Sequence, residues 1–155
     1  MDQKEMINKI RAAIKDRATW FALLYRGFKE TLPEQEVERL ARQAIFEFGR
    51  LKAKNDPPNF SPAAWVERHV AKGSALVFDS DVEINDRGAV QRMKYCALVE
   101  AWKEMGCSAE EIALFCDIAM EGDRGRAAAH GVRMELEERI ARGDPFCHLK
   151  IFPGP

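Results

Sequence analysis

The sequence predicts an α+β fold: N-terminal helices, then a four-stranded antiparallel sheet made of two hairpins, with a two-helix insert between them. Two observations carry that prediction. Apolar residues recur every three or four positions up to Gly73, the period of an amphipathic helix, and then every second position, the period of a strand with one buried face. The strand period also breaks off after Cys96 and returns at Val132, so helices are inserted between its two halves.

In the first half, Met6, Ile7, Ile10, Ile14, Phe21, Leu24, Tyr25 and Phe28 mark one helix, and Pro33 separates it from the next. Val37, Leu40, Ala41, Ala44, Ile45, Phe48 and Leu51 repeat the pattern. Asn55-Asp56-Pro57-Pro58-Asn59 is a loop by its helix breakers. Ser61 as N-cap, Pro62 in the first turn and Gly73 as the stop predict a third, short helix.

Leu76, Phe78, Val82 and Ile84 then alternate with Val77, Asp79, Asp81 and Glu83 as a strand. The acids of that stretch are explained by its solvated face, and Ile84 stands where a calcium loop needs glycine. A turn at Asn85-Asp86-Arg87-Gly88 leads into a return strand from Val90 to Cys96, where Met93 and Tyr95 compete with Val90 and Cys96 for the inward face. Leu98, Ala101, Trp102 and Met105 mark a helix ending at Gly106. Ser108 and Glu111 form a capping box for a second, which Gly122 and Gly125 are expected to end. Val132, Met134, Leu136 and Ile140 alternate with charged residues, Gly143-Asp144 turns the chain, and Phe146 to Phe152 closes the sheet with Cys147, Leu149 and Ile151 on one face. Helices are expected on one side of the sheet. The 155 residues read as one domain, a helical part over 1–73 and the sheet with its insert over 74–155.

Composition narrows the function classes. Lys and Arg number 24 against 25 Asp and Glu, a net charge of −1, which argues against nucleic-acid binding and against a polybasic membrane surface. The longest apolar run, Trp20 to Tyr25, is far short of a membrane span, and the first residues lack the layout of a signal peptide. The expectation is a soluble, cytoplasmic protein whose partner is a small molecule, with a homo-oligomer left open. No cofactor or metal is expected, since no Cys-x-x-Cys pair is present.

The four cysteines, 96, 107, 116 and 147, read as free thiols. Cys96 falls where a strand passes into a helix, and the free amides of a helix N-terminus favour a thiolate. Cys116 lies on an apolar helix stripe and Cys147 on an apolar strand face. A buried cysteine more often acts as a small hydrophobe, so each weighs against that ordinary reading. Cys107 reads as incidental. Asp117 and Glu121 are one turn apart on the helix of Cys116, and Asp123 follows between two glycines. Such carboxylates suit a cationic, amidine-like group, or else form a solvated face compensated by Arg124 and Arg126. Glu100, one turn after Cys96, is a candidate acid–base group or a surface glutamate. The histidines are weak candidates, and His148 points away from Cys147.

Cys96-Ala97-Leu98-Val99-Glu100-Ala101-Trp102-Lys103-Glu104, Cys116-Asp117-Ile118-Ala119-Met120-Glu121-Gly122-Asp123 and Gly143-Asp144-Pro145-Phe146-Cys147 closely resemble the L-2-amino-thiazoline-4-carboxylic acid hydrolase family. Arg17 to Tyr25 and Ala44 to Gly49 resemble it too, so the likeness runs from about Arg17 to Phe152. One departure is Ala97, where the family pattern has proline. The resemblance implies hydrolytic opening of a cyclic isothiourea to N-carbamoyl-L-cysteine, on a route to cysteine. The chemistry expected of it is cysteine nucleophilic catalysis, with carboxylates holding the amidinium. Cys116, beside Asp117, is then the first candidate nucleophile and Cys96 the second, with Asp117 and Glu100 as catalytic partners. Asp123, Glu121, Cys147 and Arg124 are the candidate substrate-binding residues, Arg124 for the substrate carboxylate. The Gly-Asp-x-x-Cys hairpin is also similar to 4-vinyl-reductase-type ligand-binding domains, so the rival reading is a non-catalytic small-molecule sensor. A structural zinc site from three cysteines and a histidine is a third.

Overall fold

A computed structural model describes residues 1–155. Helix α1 spans Gln3–Lys29 and starts at Asp2, whose carboxylate accepts the Glu5 amide at 2.7 Å. Pro33 is the N-cap of α2, Glu34–Ala53. Ser61 caps α3, Pro62–Ala71, by accepting the Ala64 amide at 3.1 Å. The short helix α4 is Ser74–Val77. Strands β1, Ser80–Asn85, and β2, Gly88–Met93, form the first hairpin. Then come α5, Ala97–Glu104; α6, Ala109–Ala119, with the Ser108–Glu111 capping box formed; and α7, Glu121–His130. Strand β3 is Arg133–Leu136, a single 3-10 turn covers Ile140–Arg142, and β4 is Cys147–Phe152.

The four strands make one antiparallel sheet in the order β1-β2-β4-β3, so the fold is α+β with the two hairpins joined through β2 and β4. The register settles which residues of β2 face inward. Ala89 pairs with Ile151, Gln91 with Leu149 and Met93 with Cys147, and directly paired residues point to the same side. On that side Phe60, Trp65 and Val66, together with Ala127 from α7, pack on Ala89, Leu149 and Ile151 as one core cluster. The opposite face carries Arg92, His148 and Lys150.

A second cluster joins α1 to α5 and α6. Phe21, Tyr25, Trp102 and Phe115 meet in tilted and edge-on contacts at centroid distances of 5.2–6.4 Å, and the Trp102 indole N–H donates to the Ala18 carbonyl at 3.0 Å.

Three local expectations change. Leu76 and Phe78 lie outside the first strand, because Gly73 starts another helical turn rather than an extended run. That strand is an edge strand with Val82 and Ile84 exposed. The strand expected from Val132 to Ile140 is paired only over 133–136, and the chain beyond it folds into the 3-10 turn. Gly122 and Gly125 do not end a helix. They lie within α7, which makes the insert three helices rather than two.

These glycines belong to a helix crossing. A Cβ on Gly125 would stand 2.0 Å from the Phe46 carbonyl oxygen, and one on Gly49 would stand 1.9 Å from that of Gly122. Helices α2 and α7 therefore touch backbone to backbone. The Asp56 carboxylate fastens the same crossing by accepting from Arg126 Nε and Nη2 at 2.7 Å each, and by meeting His130 Nε2 at 2.9 Å and Arg68 Nε at 3.0 Å. Arg126 in turn lies over the Phe60 and Trp65 rings.

Gly125→Ala is expected to destabilise the protein by about 3 kcal/mol or more, because backbone cannot yield as a side chain can. Gly27→Ala, in the last turn of α1 with nothing within 4 Å, should stabilise it by about 0.4–1 kcal/mol. Urea unfolding of the two variants beside wild type measures both signs.

Candidate functional site

Cys96, Cys116 and Cys147 come from three separate elements and gather in one place. Cys96 is the N-cap residue of α5, Cys116 lies in the last turns of α6, and Cys147 opens β4. Cys116 is close enough to feel the charge of both other sulfurs if they ionise. Cys96 and Cys116 pack against the α1–α5–α6 core, while Met93, paired with Cys147, and Met120 pack against the sheet core. The thiols thus stand where the two cores meet. Cys107 lies elsewhere, in the α5–α6 turn, where Arg26 donates to its sulfur at 3.2 Å.

Burial governs the three thiols. It pushes Cys116 up to about 12 and Cys96 up to about 11, and it raises Cys147 as well. Opposing forces differ. At Cys96 the amides of Val99 and Leu98, at the N-terminus of α5, face the sulfur and favour its anion. At Cys147 the Ile140 amide donates to the sulfur at 3.3 Å. The Arg139 guanidinium favours the anion at both Cys116 and Cys147. At neutral pH all three are thiols.

The Gly143-Asp144 motif explains how Arg139 and Ile140 reach this point. Asp144 accepts the Arg139 amide at 2.8 Å through its carboxylate and returns its own amide to the Arg139 carbonyl at 3.2 Å. That reciprocal pair folds the β3–β4 connection back over the start of β4.

Asp117 is surrounded by arginines. It accepts from Arg139 at 2.7 Å, Arg42 at 2.7 Å and Arg124 at 2.9 Å. Burial opposes its ionisation, but hydrogen bonds from the three guanidinium groups outweigh it and hold the carboxyl below the usual range. Glu121 joins the network through Arg42 at 3.2 Å and Arg124 at 2.8 Å. Arg124 also donates to the Asp117 carbonyl at 3.0 Å. Asp117, Glu121 and Arg124 are thus engaged with one another. Glu100 is half-exposed, with Lys103 3.8 Å away, and its charge disfavours the Cys96 anion.

Asp123 is different. It follows Cys116 by seven residues, and the backbone stays right-handed helical through Met120, so the two fall on one side of the helix about 10 Å apart along its axis. Burial raises the Asp123 carboxyl, and no hydrogen bond offsets that. The nearest opposing charges are Lys52 on α2, Arg126, and Lys72 after α3. Both lysines are exposed, and neither is hydrogen-bonded to a carboxylate. His69, held at about 4 by burial, stands at the same place with Nε2 3.0 Å from Ser80 Oγ and is a neutral imidazole.

The sequence reading singled out the cysteines and carboxylates that line these two adjoining regions, but it missed Arg42, Arg139, Lys52 and Lys72. Nothing in their local sequence separates them from surface cations; only the helix crossing and the folded-back loop bring them in. The face of His148 was legible: it pairs with Arg92, away from Cys147, and lies 3.3 Å from Glu138. No group of three His, Cys, Asp or Glu side chains is arranged to hold a metal ion. No helix is long and apolar enough to cross a membrane.

Residues 7–151 match the family model described as L-2-amino-thiazoline-4-carboxylic acid hydrolase. No curated protein matches the chain.

Asp117→Asn is expected to cost about 2–3 kcal/mol at pH 7, since it removes the anion that three guanidinium groups share. The folded-state carboxyl titrates below its unfolded value, so its contribution is complete above about pH 4 and fades as the pH falls further. The gap between wild type and variant should therefore narrow in acid, and urea midpoints at pH 7 and pH 3 measure it.

Proposed function

The chain belongs to the L-2-amino-thiazoline-4-carboxylic acid hydrolase family, and on that premise we propose that it opens the ring of a cyclic isothiourea carboxylate of the L-2-amino-thiazoline-4-carboxylate type by cysteine catalysis. The observation that supports this best is the gathering of Cys96, Cys116 and Cys147, all half-buried, beside Arg139.

In this reading Cys96, rather than Cys116, is the nucleophile, because it is the N-cap residue of α5, where the free amides of a helix N-terminus favour an anion. Cys116 and Cys147 line the same spot. The Cys96 sulfur adds to the ring carbon that lies between sulfur and two nitrogens. The ring carbon–sulfur bond then breaks, and the departing sulfur takes the proton that Cys96 gave up. The substrate is left joined to Cys96 through that carbon. Water adds there, Cys96 leaves with a proton, and N-carbamoyl-L-cysteine is released, with one water consumed overall. Glu100, near Cys96, is placed to take a proton from that water.

The charged groups divide by what they already hold. Arg124, Asp117 and Glu121 bind each other and serve to position Arg139 beside the thiols. The carboxylate role expected of Arg124 passes to Lys52 and Lys72, cations without a carboxylate partner. Asp123, also without one, stands with these lysines about 10 Å along the helix from Cys116, away from the carbon that Cys96 attacks. The sensor reading uses the same residues without turnover.

Incubation with L-2-amino-thiazoline-4-carboxylate should release thiol. Cys96→Ser should lower the rate at least a hundredfold, and Lys52→Ala with Lys72→Ala should raise KM about tenfold or more with a smaller change in kcat. The rate should climb between pH 7 and 9, by up to tenfold per pH unit, because a thiol near 11 is still mostly protonated there. Saturable binding by the folded wild-type protein without thiol release would replace this reading with the sensor.

A further inference from the structure

Helices α1 and α2 diverge from their hinge at Pro33 and leave an apolar groove of about 340 Å³ between them. It is lined only by hydrophobic residues, among them Leu24, Phe28, Val37, Leu40 and Ala44. Each helix packs on something else: α1 on α5 and α6 through Ala18, Ala22 and Tyr25, and α2 on α7 through Gly49. The flanks that face each other across the groove are left without cover. The apolar surface continues past the groove onto Trp20, 73% exposed, and Leu23 on α1, and onto Phe48 and Leu51 on α2.

We propose that this face is closed by a second copy of the same chain, forming a two-fold dimer. Three features select that occupant. The exposed large apolar side chains of α1 and α2 together present roughly 800 Å², more than the largest patch of an ordinary monomer and close to one partner's share of a standard interface. The face carries both a projecting ridge, Trp20 and Leu23, and a groove beside it. A two-fold axis places the ridge of each copy in the groove of the other, so one surface satisfies itself. At the Pro33 end of the groove the charges beside it are already neutralised within the chain, Lys29 by Glu34 at 2.9 Å and Arg39 by Glu36 at 2.7 Å. They neither repel a second copy nor call for a charged partner. A peptide or a lipid headgroup would find no hydrogen-bonding side chain in the groove apart from the buried Tyr25. The proposal does not depend on the ring-opening reaction.

Sedimentation equilibrium from 1 to 100 μM tests it. The expected result is a mass twice the 17.6 kDa of the chain, with Trp20→Glu reduced to a monomer of unchanged circular dichroism and Val70→Glu, at an exposed apolar site on α3, still dimeric. Leu23→Lys serves as the second variant should Trp20→Glu lose its fold. A wild-type monomer throughout that range overturns the proposal. So does a dimer that survives both α1 substitutions, or a monomer whose groove takes up 1-anilinonaphthalene-8-sulfonate.

Discussion

The crossing of α2 and α7 at backbone contact is the constraint on which the rest of the structure depends. With Gly49 against the Gly122 carbonyl and Gly125 against that of Phe46, the two helices approach more closely than side chains allow. At that separation Arg42 on α2 reaches both Asp117 and Glu121 across the junction of α6 and α7. On the far side of the same crossing Asp56 reaches Arg126 and His130, which fixes the loop leading into α3 and so the helix that covers the sheet. One short stretch of small residues therefore sets the spacing of two charge networks and the seat of α3 on β2 and β4.

The crossing also fixes where the two cores meet. Helix α6 belongs to the aromatic core, through Phe115 and Ile118, and α7 to the sheet core, through Ala127. The thiols and Met120 fall at the passage between them. A site at such a junction is enclosed on both sides by packed side chains, which explains why burial is the first influence on each of the three thiols. The charges that matter come in from the edges. Arg139 arrives on a loop that Asp144 folds back, and Asp123, Lys52 and Lys72 arrive where α2, α3 and α7 converge.

Most elements of this fold were legible because their signals are local. Pro33 marks a helix boundary by its fixed backbone, and Ser61-Pro62 and Ser108-Glu111 mark theirs by hydrogen bonds within a turn, which the structure forms at Ser61 and Ser108. The failures share one cause: the residue's meaning depended on a distant partner. Gly122 and Gly125 read as helix stops, since glycine is a poor helix former, yet they are retained in a helix because α2 comes against them. The period-two run at Val132–Ile140 was cut short when Arg139 turned back to meet Asp117. Asp117 and Arg124 carry charges suited to a substrate or to each other, and the fold selects the second of these two readings of the sequence. Met93, ambiguous along the chain, was resolved by its pairing with Cys147 across the sheet.

Neutral thiols impose a condition on any covalent chemistry at this place. A thiol near 11 stands four pH units above neutrality, so forming its anion at pH 7 costs about 5 kcal/mol before any bond is made. The amides at the start of α5 already contribute to that value, and Arg139 is shared with Asp117, so the protein has little further positive charge to offer the sulfur. A substrate that brings its own cation changes this. A positive charge within about 4–6 Å lowers a neighbouring acid by roughly 1–3 pH units, and more of that effect survives where water is excluded. An amidinium held over Cys96 would thus lower the thiol and, by the same charge, sharpen the electrophilic carbon the thiolate must attack. A neutral heterocycle of the same shape would do neither. In the proposed reaction, then, discrimination comes from the substrate's charge enabling the step, as well as from the fit of the pocket, and free thiols in the empty protein stay protonated and unreactive.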